Sequence, residues 1–260
     1  MFSLYNFIQL NNYEIMNEND YRLAAAEWGN CVSDYSRITN LIPTNYIFEL
    51  SSQQIDKIKQ QNKYVDVCAE VGVFNGSLVL IFLPLDAQGH VDKSITEYQY
   101  TTLGPLKYDL KLQETKEFTV TKNAVLSSNL TKIDGNTNTS VPVTEQPVLD
   151  QDIAVDAIER WRDEGMEWFF RECNEFGGER VFRRFYISME DLTHPSPEVL
   201  GIKCSFGLRY NDIYQRMLVT LIFISFHEML QEGSNVATIS NTYDWAKPCP
   251  PVCRIPELGS

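Results

Sequence analysis

Alternation of apolar and polar residues is most regular between Asp66 and Leu85, where VCAEVGVF and SLVLIFL flank Asn75-Gly76. Both central residues of a type I′ turn need positive φ, which glycine adopts freely and asparagine tolerates, so this stretch predicts a two-residue β-hairpin. Pairing outward from the turn sets Val67, Ala69, Val71 and Val73 on one face with Leu78, Leu80 and Phe82, and that face must be covered. The other face carries Cys68, Glu70, Gly72 and Phe74 with Val79, Ile81 and Leu83. The later strand is thus apolar on both sides and is expected inside a sheet.

Upstream, Tyr21, Ala24, Ala25, Trp28, Cys31, Val32, Tyr35 and Ile38 recur at three- and four-residue intervals, which predicts one helix from Asp20 to about Thr39, capped by Asn19 or Asp20. A short strand, Tyr46 to Leu50, follows. Ser51 with Gln54 three residues later fits a capping box, predicting a helix from Gln53 to Asn62. Beyond the hairpin, strands are expected at Ile95 to Leu103 and Tyr108 to Leu112, split by Gly104-Pro105. The pattern fades between Glu114 and Leu149: a short helix is expected to end at Ser127 to Leu130, and Asp134 to Ser140 has almost nothing to bury and reads as a flexible connection.

The second half opens on a long helix capped by Asp150 or Asp152, with Ile153, Ala157, Ile158, Trp161, Gly165, Trp168, Phe169 and Phe176 on its buried stripe and Gly177-Gly178 as its stop. A strand from Val181 to Ile187 and a second hairpin, Leu200 to Arg209 with Met217 to Phe226, come next. Pro248-Cys249-Pro250-Pro251 cannot be helical.

The halves resemble each other. FELSSQQI from Phe48 aligns without gaps on FYISMEDL from Phe185, each after a helix with a Glu-Trp pair (Glu27-Trp28, Glu167-Trp168) and before a hairpin with a Cys and a Gly (Cys68 and Gly72, Cys204 and Gly207). Common order makes this an internal duplication of an α-β-(α)-β-β unit. The fold class expected is α+β, with sheets covered by helices, in a first unit over 1–115, a flexible linker over 116–149 and a second unit over 150–260 that ends in an irregular Cys/Pro tail. The units could join edge to edge or stack face to face.

A formal net charge of −13 disfavours nucleic acid and anionic membranes, both of which need basic clusters, and would attract a basic protein partner. Residues 145–198 concentrate this bias, with fourteen acids against six arginines; a solvated helix face is the plainer reading. The longest apolar runs are about half what a spanning helix requires. Six cysteines, four inside predicted elements, read as buried thiols of a reduced, cytoplasmic protein. Met16, followed by polar residues, is an alternative start to Met1.

Cys249 and Cys253 are the only closely spaced metal-ligand types, with His227 the nearest third ligand and no fourth evident, so no metal is assigned. Among the histidines, His90 and His194 read as exposed loop residues, while His227 beside Glu228 is the one catalytic candidate, without a nucleophile motif near it. Trp161 and Trp168 read as core. No phosphate-cradling glycine pattern occurs, and no cofactor is implied.

These features favour a non-catalytic subunit acting through protein–protein contacts, with homo-oligomer formation open to it. One alternative is an acidic inhibitor or immunity-type protein that binds a basic toxin or nuclease. The other is an enzyme with its site between the two units.

Overall fold

The computed structural model describes residues 14–107, 109–112, 119–140, 150–190, 192, 201–226, 236–244 and 247–251. In chain order these form β1 (Ile15–Asn17), α1 (Glu18–Cys31), α2 (Tyr35–Leu41), β2 (Tyr46–Ser51), α3 (Ser52–Gln61), β3 (Asp66–Phe74), β4 (Ser77–Leu83), β5 (Glu97–Thr102), β6 (Gly104–Pro105) and β7 (Asp109–Lys111). Then come β8 (Thr119–Leu126), β9 (Lys132–Ser140), α4 (Gln151–Phe176), β10 (Arg184–Ser188), β11 (Gly201–Asn211), β12 (Arg216–Phe226), β13 (Val236–Asp244) and β14 (Lys247–Cys249). The fold is α+β.

Asn75 and Gly76 have φ of 50° and 76°, as a type I′ turn requires. That turn sets the register of β3 on β4, with Val73 opposite Leu78, Val71 opposite Leu80 and Ala69 opposite Phe82. The capping box forms as its sequence implies: the Ser51 side chain accepts from the Gln54 amide, and the Gln54 side chain accepts from the Ser51 amide. The helix expected over Asp20 to Thr39 is broken in two. Asn17, not Asn19 or Asp20, caps α1, and Asp34 ends the run by accepting from the Arg37 amide at 3.1 Å to start α2. A free cap at Asp34 outweighs the continuing apolar period, because it satisfies an orphan amide that the helix would otherwise leave open.

Two six-stranded sheets result, ordered β1-β5-β4-β3-β10-β14 and β6-β2-β11-β12-β13-β7. The halves exchange strands. β2 pairs with β11 of the later hairpin, and β10 pairs with β3 of the earlier one. The two pairings have the same register: Phe48 lies opposite Cys204, three residues before Gly207, and Phe185 lies opposite Ala69, three residues before Gly72. Both glycines meet a helix alanine. A Cβ on Gly72 would come 3.0 Å from the Ala24 Cβ, and one on Gly207 would come 3.3 Å from the Ala157 Cβ. Ile81 and Ile222 crowd the same two positions from the neighbouring strand, at 2.9 Å and 2.6 Å.

Those contacts make Ala24 the counterpart of Ala157, and hence Trp28 the counterpart of Trp161, one turn further along each helix and fully buried. The pairing of Glu27-Trp28 with Glu167-Trp168 is therefore displaced by seven residues. Cys68 and Cys204 do not correspond either: Cys204 faces the main core, whereas Cys68 faces the outer layer under α1.

The main core lies between the inner faces of the sheets, where Val71, Leu80 and Phe185 of one share a cluster with Phe206, Leu221 and Phe223 of the other. Rings carry the contact across, with Phe185 and Phe206 centroids 6.3 Å apart and Phe182 touching both. The start of α1 covers the outer face of one sheet through Ala24, and Ala154 and Ala157 of α4 cover the other against Ile222 and Ile224. On α4 the buried stripe is Ala154, Ala157, Trp161, Gly165, Phe169, Glu172 and Cys173. Ile153, expected inside, is 42% exposed.

The stretch where a helix end and a connection were expected contains instead the β8–β9 hairpin, turned by Leu130 at φ 62°. It forms a separate two-stranded sheet.

Between β4 and β5, Asp92 anchors the connection. Hydrogen bonds from Lys63 Nζ at 2.8 Å and from the Ser94 hydroxyl and amide hold its carboxyl down to about 2, against the ordinary 3.8. A depressed native pKa contributes stability that is present above 3.8 and lost as pH falls toward 2. Replacing Asp92→Asn is expected to flatten the acid-side decline of the melting temperature across that window, as followed by circular dichroism.

Candidate functional site

α4 ends in a left-handed cap. Gly177 has φ 59° and Gly178 φ 76°, and the Gly178 amide donates to the Glu172 carbonyl at 2.9 Å. This reversal returns the chain alongside the last turns of α4, so that Arg180 meets Glu172. The pair is bidentate: Arg180 Nε donates to Glu172 Oε2 at 2.9 Å and Nη2 to Oε1 at 2.6 Å. Glu172 is only 3% exposed, and the guanidinium also lies 3.3 Å above the Phe176 ring.

Against this corner packs the tip of the β11–β12 hairpin, leaving a cleft of about 380 Å³. Trp168 lines it and donates from Nε1 to the Met217 carbonyl at 3.1 Å. Arg216, the first residue of β12, also lines it. Burial and the like charge of Arg180 push the Arg216 guanidinium below its ordinary pKa, with Glu172 opposing. Its side chain makes no hydrogen bond or ion pair among the described residues. Glu164, Glu167 and Glu175 form an exposed acidic rim, with Glu167 engaged by Arg171.

A second cleft, of about 410 Å³, lies at the equivalent corner of the other half. Val73 lines it as Leu208 lines the first, each one residue beyond the matched glycine. Here Glu27 and Arg37 pair with each other, so its charges are already matched.

A separate buried network has formed under α1. Tyr21 donates to Glu70 Oε2 at 2.8 Å, and Arg184 Nε lies 3.1 Å from the same oxygen. Burial and the Glu70 charge push the Tyr21 hydroxyl well above its ordinary pKa, so it stays a donor. By register, Glu70 corresponds to Ser205 and Tyr21 to Ala154, so the network belongs to one half only. It ties α1 to the exchanged strand β10.

His227, Glu228, His194 and Cys253 lie outside the described residues. Cys249 closes β14, is buried, and its sulfur is disulfide-bonded. His90 is an exposed turn residue, with Nδ1 3.9 Å from Asp86 Oδ1. Trp161 is core, whereas Trp168 is partly buried and reaches the cleft. Sequence reasoning passed over Glu172, Arg180 and Arg216. Glu172 did carry a signal, since it sits four residues after Trp168 on the apolar stripe, where a carboxylate needs a partner.

Among the described residues, no cluster of three His, Cys, Asp or Glu converges as a metal site, and no helix is long and apolar enough to cross a membrane. Comparison with protein-family models, with curated proteins and with solved structures gives no match.

Proposed function

We propose that the protein is a non-catalytic subunit that works through protein–protein contacts in a larger assembly. The observation that carries this reading is the β8–β9 hairpin. Every described side chain from Val120 to Asn138 is exposed except that of Ser127, and Val120, Val125, Leu126, Leu130 and Ile133 are 49% to 80% exposed. An isolated two-stranded ribbon is marginal in water, and five exposed apolar side chains on such a ribbon are what a partner surface would cover. Ile213, at the tip of the β11–β12 hairpin and 85% exposed, adds a second apolar projection.

The test is assembly. The variant with Val125, Leu126, Leu130 and Ile133 all changed to Ser is expected to lose a partner, or self-association, that the unaltered chain retains in light scattering and in purification from the native host. Its melting temperature should stay put, because none of the four side chains belongs to the core. A chain that stays monomeric at micromolar concentration and retains nothing the variant loses would refute the reading.

The net charge of −13 favours a second reading, an acidic inhibitor or immunity-type protein for a basic toxin or nuclease. Its mark would be a complex that weakens steeply between about 0.05 and about 0.5 M salt, where screening shortens from over 10 Å to a few ångström.

Four buried free thiols, at Cys31, Cys68, Cys173 and Cys204, fit the cytoplasm, and the disulfide at Cys249 is the feature that such a compartment would reduce. The matched registers support an internal duplication, with a unit that exchanged strands as swapped dimers do.

A further inference from the structure

We infer that the cleft between α4 and the β11–β12 hairpin receives a peptide segment of a protein partner in which one carboxylate side chain is flanked by basic residues. The inference rests on the proposed role in protein contacts but uses a surface other than the β8–β9 hairpin.

The charges are ordered from the floor outward. Glu172 and Arg180 neutralise each other through two hydrogen bonds, so the floor charge that remains is Arg216. A half-sheltered guanidinium with no hydrogen bond or ion pair among the described residues has lost part of its hydration, and the repulsion of Arg180 adds to this loss while the charge of Glu172 offsets it only in part. A carboxylate entering the cleft would accept from Arg216 and relieve both. Around it, Glu164 and Glu175 stand exposed with no ion pair among the described residues, while Glu167 is already matched by Arg171. These two rim acids would hold cations on either side of the inserted group. They also disfavour a bare dianion such as phosphate, which would meet the rim before reaching the floor.

Size agrees with this class of occupant. About 380 Å³ is at the lower end of ligand clefts, enough for one side chain and its neighbours rather than an extended cofactor. Trp168 and Met217 supply an apolar wall for the methylenes of the inserted side chain. The second cleft does not offer this arrangement, since its Glu27 and Arg37 satisfy each other.

Four probes separate the possibilities, read by the indole N–H resonance of Trp168 in the full chain. They are acetyl-Lys-Glu-Lys-amide, acetyl-Lys-Gln-Lys-amide, acetyl-Ala-Glu-Ala-amide and inorganic phosphate. The first is expected to bind about tenfold or more tightly than the other three, as loss of a charge-assisted hydrogen bond implies. Arg216→Gln should erase the preference for Glu over Gln while leaving the melting temperature unchanged. Glu164→Gln with Glu175→Gln should erase the advantage of the lysine flanks. Equal binding of the Glu and Gln peptides, phosphate binding as tightly as the first peptide, a preference that survives Arg216→Gln, or no shift with any probe would each overturn the inference. The chain is assayed alone with short peptides, so failure of the hairpin-mediated assembly would leave this result readable by itself.

Discussion

Divided within residues 141–149, the chain is expected to yield two fragments that are each unfolded alone and that reassemble when co-expressed. The reason is the exchange of strands. Without the later half, β3 loses β10 along its whole pairing from Glu70 to Asp66, and the inner face carrying Val67, Val71, Leu80 and Phe82 loses β11, β12 and β13 of the facing sheet. Without the earlier half, β11 loses β2, and Phe206, Leu208 and Leu221 lose the cover of Phe48, Val71, Leu80 and Phe82, with which they share a cluster. Fully burying a Val, Leu or Phe contributes about 1.5–3 kcal/mol. Uncovering four or more of them therefore removes as much as the about 5–15 kcal/mol that typically separates folded from unfolded states. Far-ultraviolet circular dichroism and amide dispersion should report disorder for each fragment and a native spectrum for the co-purified pair. A cooperative melt from either fragment alone would show that the halves are self-sufficient and would sink the prediction.

How far the fold could be read along the chain depended on the range over which each feature is encoded. The β3–β4 register was legible to the residue, because Asn75-Gly76 selects the turn and the turn fixes every pair behind it. The capping box at Ser51 was legible for the same reason: its partners are three residues apart. The exchange was not. Phe185 and Ala69 are joined by a pairing more than a hundred residues long in sequence, and either edge of β3 presents the same open backbone groups to any strand. The helix alignment failed for a different reason. Trp161 and Trp168 are two turns apart on one stripe, so apolar spacing alone cannot say which of them matches Trp28; only the contact of Ala24 with Gly72 and of Ala157 with Gly207 decides it.

The cleft was hidden by composition. Glu172 is one of fourteen acids between residues 145 and 198, and a count treats it like its exposed neighbours. Its position on the apolar stripe, with Arg180 eight residues later across a Gly-Gly reversal, separates it from them. Arg216 could not be found in this way, because its relation to Arg180 exists only once β12 is placed against α4.

Gly178→Ala is expected to destabilise the protein by about 3–5 kcal/mol, near the upper end for a single substitution, while Gly177→Ala next to it should cost only about 1–2 kcal/mol. Both glycines have positive φ, 59° at Gly177 and 76° at Gly178, so both substitutions carry the left-handed penalty of an L side chain. Their surroundings differ. A Cβ on Gly177 would meet nothing within 4 Å, whereas one on Gly178 would fall 2.1 Å from the Val32 carbonyl oxygen and 2.8 Å from the Ser33 nitrogen. The obstacle is backbone, which has no rotamer to change. Val32 is moreover held in place, because its carbonyl accepts from Cys173 Sγ at 3.3 Å and it sits between α1 and the start of α2. Relief therefore requires the end of α4 to move off the end of α1, which would open the packing of Cys31 and Cys173 and displace the reversal that brings Arg180 to Glu172. Denaturant unfolding of the two variants checks the difference. Equal losses at the two positions would mean that the penalty is conformational alone and that the two helix ends are not locked together at Val32.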